Sequence, residues 1–221
     1  MKIYLLNETV FEGVENLVLN EIVFYDFGVN LDEFDALLCT SKNALKALKK
    51  TKNSLNLDIN VYAVGQNTAQ FAKDMGFKKV QFAPKSYGSE LFNHFKEELK
   101  NQKCLYLRAE NIASTLNLDL RTYGVDLQEI IVYKNVFKKS KQTILHPAIF
   151  IFTSPLSVEN FFKQYDLKKE DKVIAIGQST AKKLTHLDNL FISSKQDLKE
   201  CVKLAKSLIQ FDSKMILLYA R

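Results

Sequence analysis

The sequence predicts an α/β protein built from two similar parallel-sheet domains of the Rossmann or flavodoxin-like kind. Short apolar runs alternate with helical patterns along the whole chain, which is typical of parallel sheets covered by helices on both faces. Two stretches also recur at offsets of 113 and 112 residues: 38–43 resembles 151–156, and 61–69 resembles 173–181. Because this period is too long for a solenoid, it indicates two copies of one domain.

Hydrophobic periodicity, together with the residues that start and stop helices, gives the individual elements. In the first copy, strands are predicted at 35–40, 60–64, 79–83, 103–108 and 127–133, and helices at 42–50, 67–75, 88–100 and about 112–122. In the second copy, strands are predicted at 148–153, 172–176 and 189–193, and helices at 155–165, 179–185 and 196–210. The second copy therefore ends before it completes the pattern of the first.

Either end of the chain can supply the missing strand. Residues 2–8 resemble the segment 103–110, and residues 214–218 also match that segment from its first residue onward. The sequence does not decide whether 1–8 or 214–221 takes the corresponding position in the sheet.

Use of the N-terminal segment makes one domain discontinuous and inserts the other into it. The predicted boundaries are 1–24 with 138–221 for the discontinuous domain, 30–132 for the inserted domain, and 25–29 with 133–137 for a paired, two-stranded linker.

The composition excludes several classes of protein. With 47% apolar and 25% charged residues in 221, the chain is neither disordered nor collagen-like. Its longest apolar runs, 148–152 and 215–220, are much shorter than the roughly 20 residues of a transmembrane helix. The N-terminal apolar stretch stops at Asn7, too early for a secretory signal. We therefore expect a cytoplasmic protein with no membrane partner.

The cysteines and the charge narrow the choice of partners further. Cys39, Cys104 and Cys201 lie far apart, which predicts free thiols in a reducing compartment and no zinc site. The net charge of +6 comes from 31 lysine and arginine residues against 25 acidic ones. The densest lysine run lies on the predicted helix 42–50 and forms no arginine-rich stripe, so the charge favours an anionic small molecule over nucleic acid.

The repeated motifs lie where predicted strands end and helices begin, the edge at which parallel α/β sheets bind ligands. They are Thr40-Ser41 and Thr153-Ser154, and then Gly65-Gln66-Asn67-Thr68 and Gly177-Gln178-Ser179-Thr180. Such turns combine hydroxyl groups, unpaired backbone N–H groups and the positive end of a helix dipole, which together suit a carboxylate or phosphate. The same residue types also cap helices with no ligand. Four matched turns in two copies favour binding.

Further residues belong to the same predicted edge. Arg108 and Glu110 end one strand, where the alternative to a binding role is an exposed ion pair with each other. Tyr133 ends the strand that leads back to the first domain, and its alternative role is packing with a solvent-exposed hydroxyl.

No two glycines lie within three residues of each other, so the sequence contains neither a dinucleotide fingerprint nor a P-loop. It also lacks the Gly-x-Ser-x-Gly motif. The residues alone therefore indicate a two-domain anion-binding protein without naming a reaction.

The order and spacing of these motifs resemble the uroporphyrinogen-III synthase family. The resembling segments are 34–44, 64–69, 105–108, 132–134, 151–158 and 175–181. One departure is residues 9–22, which leave little room for the family's usual helix before the second strand. The resemblance implies two α/β domains joined by a two-stranded ladder, an active site in the cleft between them, and no cofactor or metal.

The reaction implied by the resemblance is that of a hydro-lyase of haem biosynthesis. Its substrate is hydroxymethylbilane, a linear tetrapyrrole with eight carboxylates, which loses its terminal hydroxyl as water. A spiro intermediate then forms, and the ring closes with ring D inverted to give uroporphyrinogen III. We expect a monomer acting on this small molecule without nucleic acid. The alternative from another class is a non-enzymatic two-domain anion-binding protein.

The resemblance also assigns roles to residues. Tyr133 matches by position the tyrosine that is proposed in the family to help the hydroxyl leave, which makes it a candidate proton donor. The candidate substrate-binding residues are Thr40, Ser41, Lys42, Asn43, Gln66, Asn67, Thr68, Arg108, Ser154, Ser157, Gln178, Ser179 and Thr180.

Overall fold

The chain divides into two units, residues 1–21 with 137–221 (unit 1) and residues 22–136 (unit 2). The computed structural model describes residues 1–51, 55–84, 88–112, 114–185 and 187–219, with side chains as far as residue 210. Each unit contains one β-sheet with helices on both faces. No helix in the described part of the chain has the length and apolar character of a membrane span.

The strands alternate with the helices along the chain. The strands are β1 (Lys2–Leu5), β2 (Glu15–Asn16), β3 (Asn20–Phe24), β4 (Ala36–Cys39), β5 (Asn60–Val64), β6 (Lys79–Ala83), β7 (Lys103–Ala109), β8 (Asp126–Phe137), β9 (Ala148–Phe152), β10 (Lys172–Ala175) and β11 (Leu190–Ile192). The helices are α1 (Lys42–Lys50), α2 (Gln66–Asp74), α3 (Gly88–Leu99), α4 (Leu116–Thr122), α5 (Pro155–Phe161), α6 (Gln178–Ala181) and α7 (Leu198–Tyr219).

Unit 2 carries a six-stranded sheet in the order β3-β8-β7-β4-β5-β6. From β8 to β6 the strands are parallel, and the central strand β4 is buried on both faces. One face packs Leu37, Cys39 and Leu107 against α1 and α2, and the other packs Leu38 and Tyr106 against α3 and α4. A strand buried on both faces reads as a continuous apolar run, which is why the sequence pattern located it.

β3 and β8 form a ladder at the edge of this sheet. The Tyr25 N–H donates to the Val132 carbonyl, and the Lys138 N–H donates to the Leu19 carbonyl, so the two strands run antiparallel. In this register residues 133–137 lie opposite 20–24, whereas the sequence predicted that 133–137 pair with 25–29. The pairing segment therefore starts about five residues earlier, and 25–29 follow it with no strand structure.

Unit 1 carries a five-stranded parallel sheet in the order β11-β10-β9-β1-β2. β1 lies between β9 and β2, with Lys2 opposite Ala148 and Leu5 opposite Ile151. The N-terminal segment therefore takes the sheet position for which the two chain ends competed. Residues 214–219 continue helix α7 instead, and residues 220–221 lie outside the described part.

The predicted α/β elements are confirmed, and most differences concern helix ends. β8 is the exception among the strands, since it continues from 133 to Phe137, and α6 stops at Ala181 instead of 185. α4 begins at Leu116 instead of about 112 (residue 113 lies outside the described part), because the Ser114 hydroxyl accepts the Leu116 N–H at 3.1 Å. α5 stops at Phe161 instead of 165, and the Gln164 side chain binds the backbone of Ser140 instead. α7 extends beyond 210 to Tyr219. Residues 9–22 contain no helix, which agrees with the little room that this short segment leaves for one.

Candidate active site

A pocket of about 520 Å³ lies at the carboxyl edge of the unit 2 sheet. It is lined by residues that follow β4 and β7, by residues within the second half of β8, and by residues at the start of α3 and just before α4. Its wall carries the hydroxyl groups of Thr40, Ser41, Ser89, Tyr106, Thr115 and Tyr133. Because the strands are parallel, their carboxyl ends and the helix starts that follow them meet at this edge. The pocket therefore presents hydroxyl groups with which carboxylates can form hydrogen bonds.

Two consecutive residues after β4 place hydroxyls on opposite sides of the sheet. Side chains alternate along a strand, so Thr40 continues the face of Leu38, and its hydroxyl lies 3.1 Å from the hydroxyl of Tyr106. Ser41 turns to the other face, where it is the N-cap of α1 and its Oγ accepts the Asn43 N–H at 3.1 Å.

Tyr133 reaches the pocket from β8 and is 6% exposed. Burial raises the pKa of its phenol above the ordinary value, and a hydrogen bond with the Ser41 side chain opposes that shift. The net shift is upward, so the hydroxyl keeps its proton at neutral pH. Tyr106 is fully buried, and burial likewise raises its pKa above the ordinary value.

The start of α3 approaches the opposite wall closely at Gly88. A Cβ atom at this position would lie 2.0 Å from the Ser114 Oγ and 2.9 Å from the Ser114 Cβ. Only glycine permits this approach, because the Ser114 hydroxyl is itself held by the Leu116 N–H. The local shape of the pocket therefore depends on a residue without a side chain.

Thr40, Ser41 and Tyr133 are the predicted unit 2 residues that the structure brings together in this pocket. Lys42 and Asn43 occupy the first turn of α1. At the start of α2, Gln66 and Asn67 are exposed and Thr68 is buried. None of these five residues is among the described residues that line the pocket, and Arg108 is not among them either.

Arg108 is engaged within the sheet instead. Its Nε donates to the Glu129 carboxylate at 2.5 Å, and its Nη1 donates to the Ala109 carbonyl at 2.9 Å. Arg108 therefore does form an ion pair, but its partner is the largely buried Glu129. The Glu110 carboxylate instead accepts the Tyr25 hydroxyl at 2.7 Å. Arg108 thus links β7 to β8 through the Glu129 carboxylate.

The matching turns of unit 1 use their hydroxyls mainly on their own backbone. Ser154 is the N-cap of α5 and forms a capping box with Ser157. The Ser157 Oγ accepts the N–H groups of Thr153 and Ser154 and donates to the Ser154 carbonyl at 2.6 Å. At the start of α6, Gln178 and Ser179 are exposed, whereas Thr180 is buried.

Sequence reasoning missed several pocket residues. Tyr106 lies inside an apolar strand and reads as core, so nothing in the pattern distinguishes it from Tyr62. Ser114 and Thr115 precede α4, and the helix-start rule identifies them once the helix is placed at 116 instead of about 112. Ser89 lies in the first turn of α3, where a serine indicates only the start of a helix.

A family model described as uroporphyrinogen-III synthase HemD matches residues 21–203. This chain belongs to the uroporphyrinogen-III synthase family. Members of the family are lyases of haem biosynthesis. No curated protein sequence matches the chain.

Solved structures agree with this family. The crystal structure of uroporphyrinogen-III synthetase from Helicobacter pylori 26695 shares 29% identity and a TM-score of 0.81, over 94% of this chain and 99% of that one. A mutant uroporphyrinogen III synthase from the extremely thermophilic bacterium Thermus thermophilus shares 14% identity and a TM-score of 0.58, over 94% of this chain and 98% of that one. The second likeness shows a common fold.

Proposed function

We propose that this chain is a uroporphyrinogen-III synthase that cyclises hydroxymethylbilane with loss of water and inversion of ring D. Family membership supports the reaction. The observation that carries the assignment to a site is the buried Tyr133, which lines a pocket together with Ser41 and other hydroxyl-bearing residues. It occupies the position that the family resemblance marks for departure of the hydroxyl.

The first chemical step needs a proton at the leaving oxygen. The C–O bond of the terminal hydroxymethyl group breaks, the oxygen keeps the electron pair, and a proton must reach it for water to leave. Because burial raises the pKa of Tyr133 above its ordinary value, the phenol is protonated at neutral pH and can donate this proton or a hydrogen bond. The carbon that remains is electrophilic, and attack by ring D within the same molecule gives the spiro intermediate.

The rest of the reaction depends mainly on how the protein positions the substrate. The substrate closes unaided to the type I isomer, so the protein must favour one geometry of ring D over another. Hydroxyl and backbone N–H groups at helix starts suit the acetate and propionate side chains. We include in the proposal the exposed or pocket-lining candidates Thr40, Ser41, Lys42, Gln66, Asn67, Gln178 and Ser179, and also Asn43, Thr68, Ser154 and Thr180.

The test is the isomer formed from hydroxymethylbilane with and without the folded protein, with no metal or cofactor added. We expect type III with the protein and type I without it. Type I alone in the presence of folded protein contradicts the proposal and favours the non-enzymatic anion-binding alternative, which predicts binding of the substrate without turnover.

We further propose that the enzyme is a monomer in the cytoplasm, where its three free, buried cysteines stay reduced. Size-exclusion chromatography tests whether it is a monomer.

A further inference from the structure

The turn after β4 joins two buried phenols that lie on opposite faces of one sheet. Tyr106 packs in the core under α3 and α4, whereas Tyr133 packs in the core under α1 and α2. The Thr40 hydroxyl lies 3.1 Å from the Tyr106 hydroxyl, and the next residue, Ser41, lines the pocket with Tyr133. Both phenols and both turn residues line the same pocket.

The hydrogen bonds on the Ser41 side have a direction. The Ser41 Oγ accepts the Asn43 N–H, so its own proton is available for the Tyr133 oxygen. A phenol oxygen that accepts from Ser41 keeps its own proton for another acceptor in the pocket. The direction therefore depends on Ser41 holding one orientation.

The Tyr106 side provides a fixed point for this turn. Tyr106 lies on β7, paired with Leu38 of β4 two residues before Thr40. Its side chain is fully buried among Leu38, Leu116 and Leu120, so its hydroxyl has little freedom to move. Thr40 is thus held both by the strand that precedes it and by a rigid side chain.

We propose that Tyr106 is a positioning residue for the cyclisation: its contact with Thr40 holds the Thr40–Ser41 turn, and Ser41 in turn holds the Tyr133 hydroxyl. This inference rests on the proposed function of Tyr133. It adds a residue that forms no hydrogen bond with the leaving group or with Tyr133. Loss of the Tyr106 hydroxyl frees the turn, and the Tyr133 proton is aligned for a smaller fraction of the time.

The central variant is Tyr106→Phe, with Tyr62→Phe as the matched control. Tyr62 is also a buried tyrosine on the same face, but its hydroxyl contacts Glu98 and Gln102 outside the pocket. We expect Tyr106→Phe to lower kcat about 3- to 10-fold with KM unchanged, and Tyr62→Phe to leave both unchanged. Thr40→Val should reproduce the loss of kcat, and Thr40→Ser, which keeps the hydroxyl, should restore most of it.

A structural readout separates this inference from the proposed reaction. In protein labelled with ¹³C at the tyrosine Cζ, the signal of Tyr133 is assigned by its absence in Tyr133→Phe. We expect it to move in Tyr106→Phe and in Thr40→Val, and to stay in place in Tyr62→Phe. If it does not move in either variant, the positioning role is wrong, whatever the enzyme does.

The double variant completes the test. If Tyr133→Phe is slow and Tyr106→Phe slows it no further, the two residues act together as proposed. Equal slowing by Tyr106→Phe in both backgrounds overturns the inference and leaves the role of Tyr133 intact. Full kcat in Tyr133→Phe contradicts the proposed function itself, and the inference fails with it.

Discussion

The two repeated Thr-Ser turns use their serine hydroxyls differently. Ser41 caps α1 and also lines the pocket with the buried Tyr133, whereas Ser154 shares a capping box with Ser157. The preceding threonines differ in the same way, since Thr40 contacts the Tyr106 hydroxyl and Thr153 donates to the Leu6 carbonyl. The sequence located both turns, but their use depends on partners 66 and 147 residues away in the chain, which no local pattern records.

Tyr133→Phe tests the proposed proton donor. The change removes one hydroxyl and keeps the ring that packs in the core, so substrate affinity should stay nearly constant. We expect the rate constant of the chemical step to fall by about 10- to 1,000-fold, measured as formation of type III product in single-turnover experiments. Full retention of kcat in a step limited by chemistry removes Tyr133 from this role.

Ser157→Ala tests whether capping explains the unit 1 turn. The Ser157 hydroxyl is nearly buried and makes three hydrogen bonds within the turn. Its removal should lower the free energy of unfolding by about 1–3 kcal/mol, measured by urea denaturation, and change substrate affinity little. Exposed Ser179→Ala is the control and should stay within about 0.5 kcal/mol of the parent. A large loss of affinity in Ser157→Ala with unchanged stability indicates direct contact with the substrate instead.

At the scale of elements, the sequence predicted strands better than helix ends. Strands such as β9 and β4 are buried on both faces and stand out as short apolar runs between polar residues. Helix ends depend on single side-chain hydrogen bonds, such as the one from the Leu116 N–H to Ser114. The periodicity of the preceding residues does not show those bonds.

The link between β7, β8 and α4 depends on one carboxylate. Burial raises the pKa of Glu129, but hydrogen bonds from Arg108, Arg121 and Asn117 outweigh it and hold the pKa below the ordinary value of 4.5. A depressed pKa stabilises the folded state above the unfolded value, and that stability is lost as the pH falls through the folded value. Glu129 therefore contributes to acid unfolding of unit 2.

Glu129→Gln should expose this contribution. At neutral pH we expect a loss of about 1–3 kcal/mol, because Arg108 loses its charged partner. The difference from the parent should shrink between about pH 6 and about pH 3, where the parent carboxylate itself becomes protonated. Urea unfolding across this range measures it, with exposed Glu170→Gln as the control. A difference that stays constant with pH shows that Glu129 does not titrate in this window.

For the whole molecule, the internal repeat predicted two similar α/β domains, and the parallel sheets of the two units have this character. The choice between the two chain ends lay beyond the sequence, since 2–8 and 214–218 match the same strand about equally well. The structure shows which contacts place the N-terminal segment, and not the C-terminal one, in the sheet. Tyr4 stacks on Phe150 with ring centroids 5.4 Å apart, and its hydroxyl accepts the Leu145 N–H at 3.0 Å. Only contacts distant in sequence distinguish these two apolar segments.

A pair of deletions tests this assignment. β1 lies inside the unit 1 sheet, and Ile3, Tyr4, Leu5 and Leu6 are all at most 4% exposed. Burial of four large apolar side chains is worth about 6–12 kcal/mol, which is comparable to the whole stability of a domain. Deletion of residues 1–8 should therefore unfold unit 1, whereas unit 2 is one continuous segment with its own cores and should stay folded.

Deletion of residues 214–221 should behave differently. Residues 214–219 lie in α7, so their loss removes no strand and leaves the order β11-β10-β9-β1-β2 complete. Hydrogen exchange with mass spectrometry reads both units in one experiment. We expect slow exchange at 148–152 in the parent and in the C-terminal deletion, and fast exchange there in the N-terminal deletion, while 103–109 stays protected in all three. Because 103–109 forms β7 of unit 2, it reports whether the loss is confined to unit 1. Protection of 148–152 without residues 1–8 means that another segment can pair with β9, and the assignment of β1 to this sheet position is then wrong.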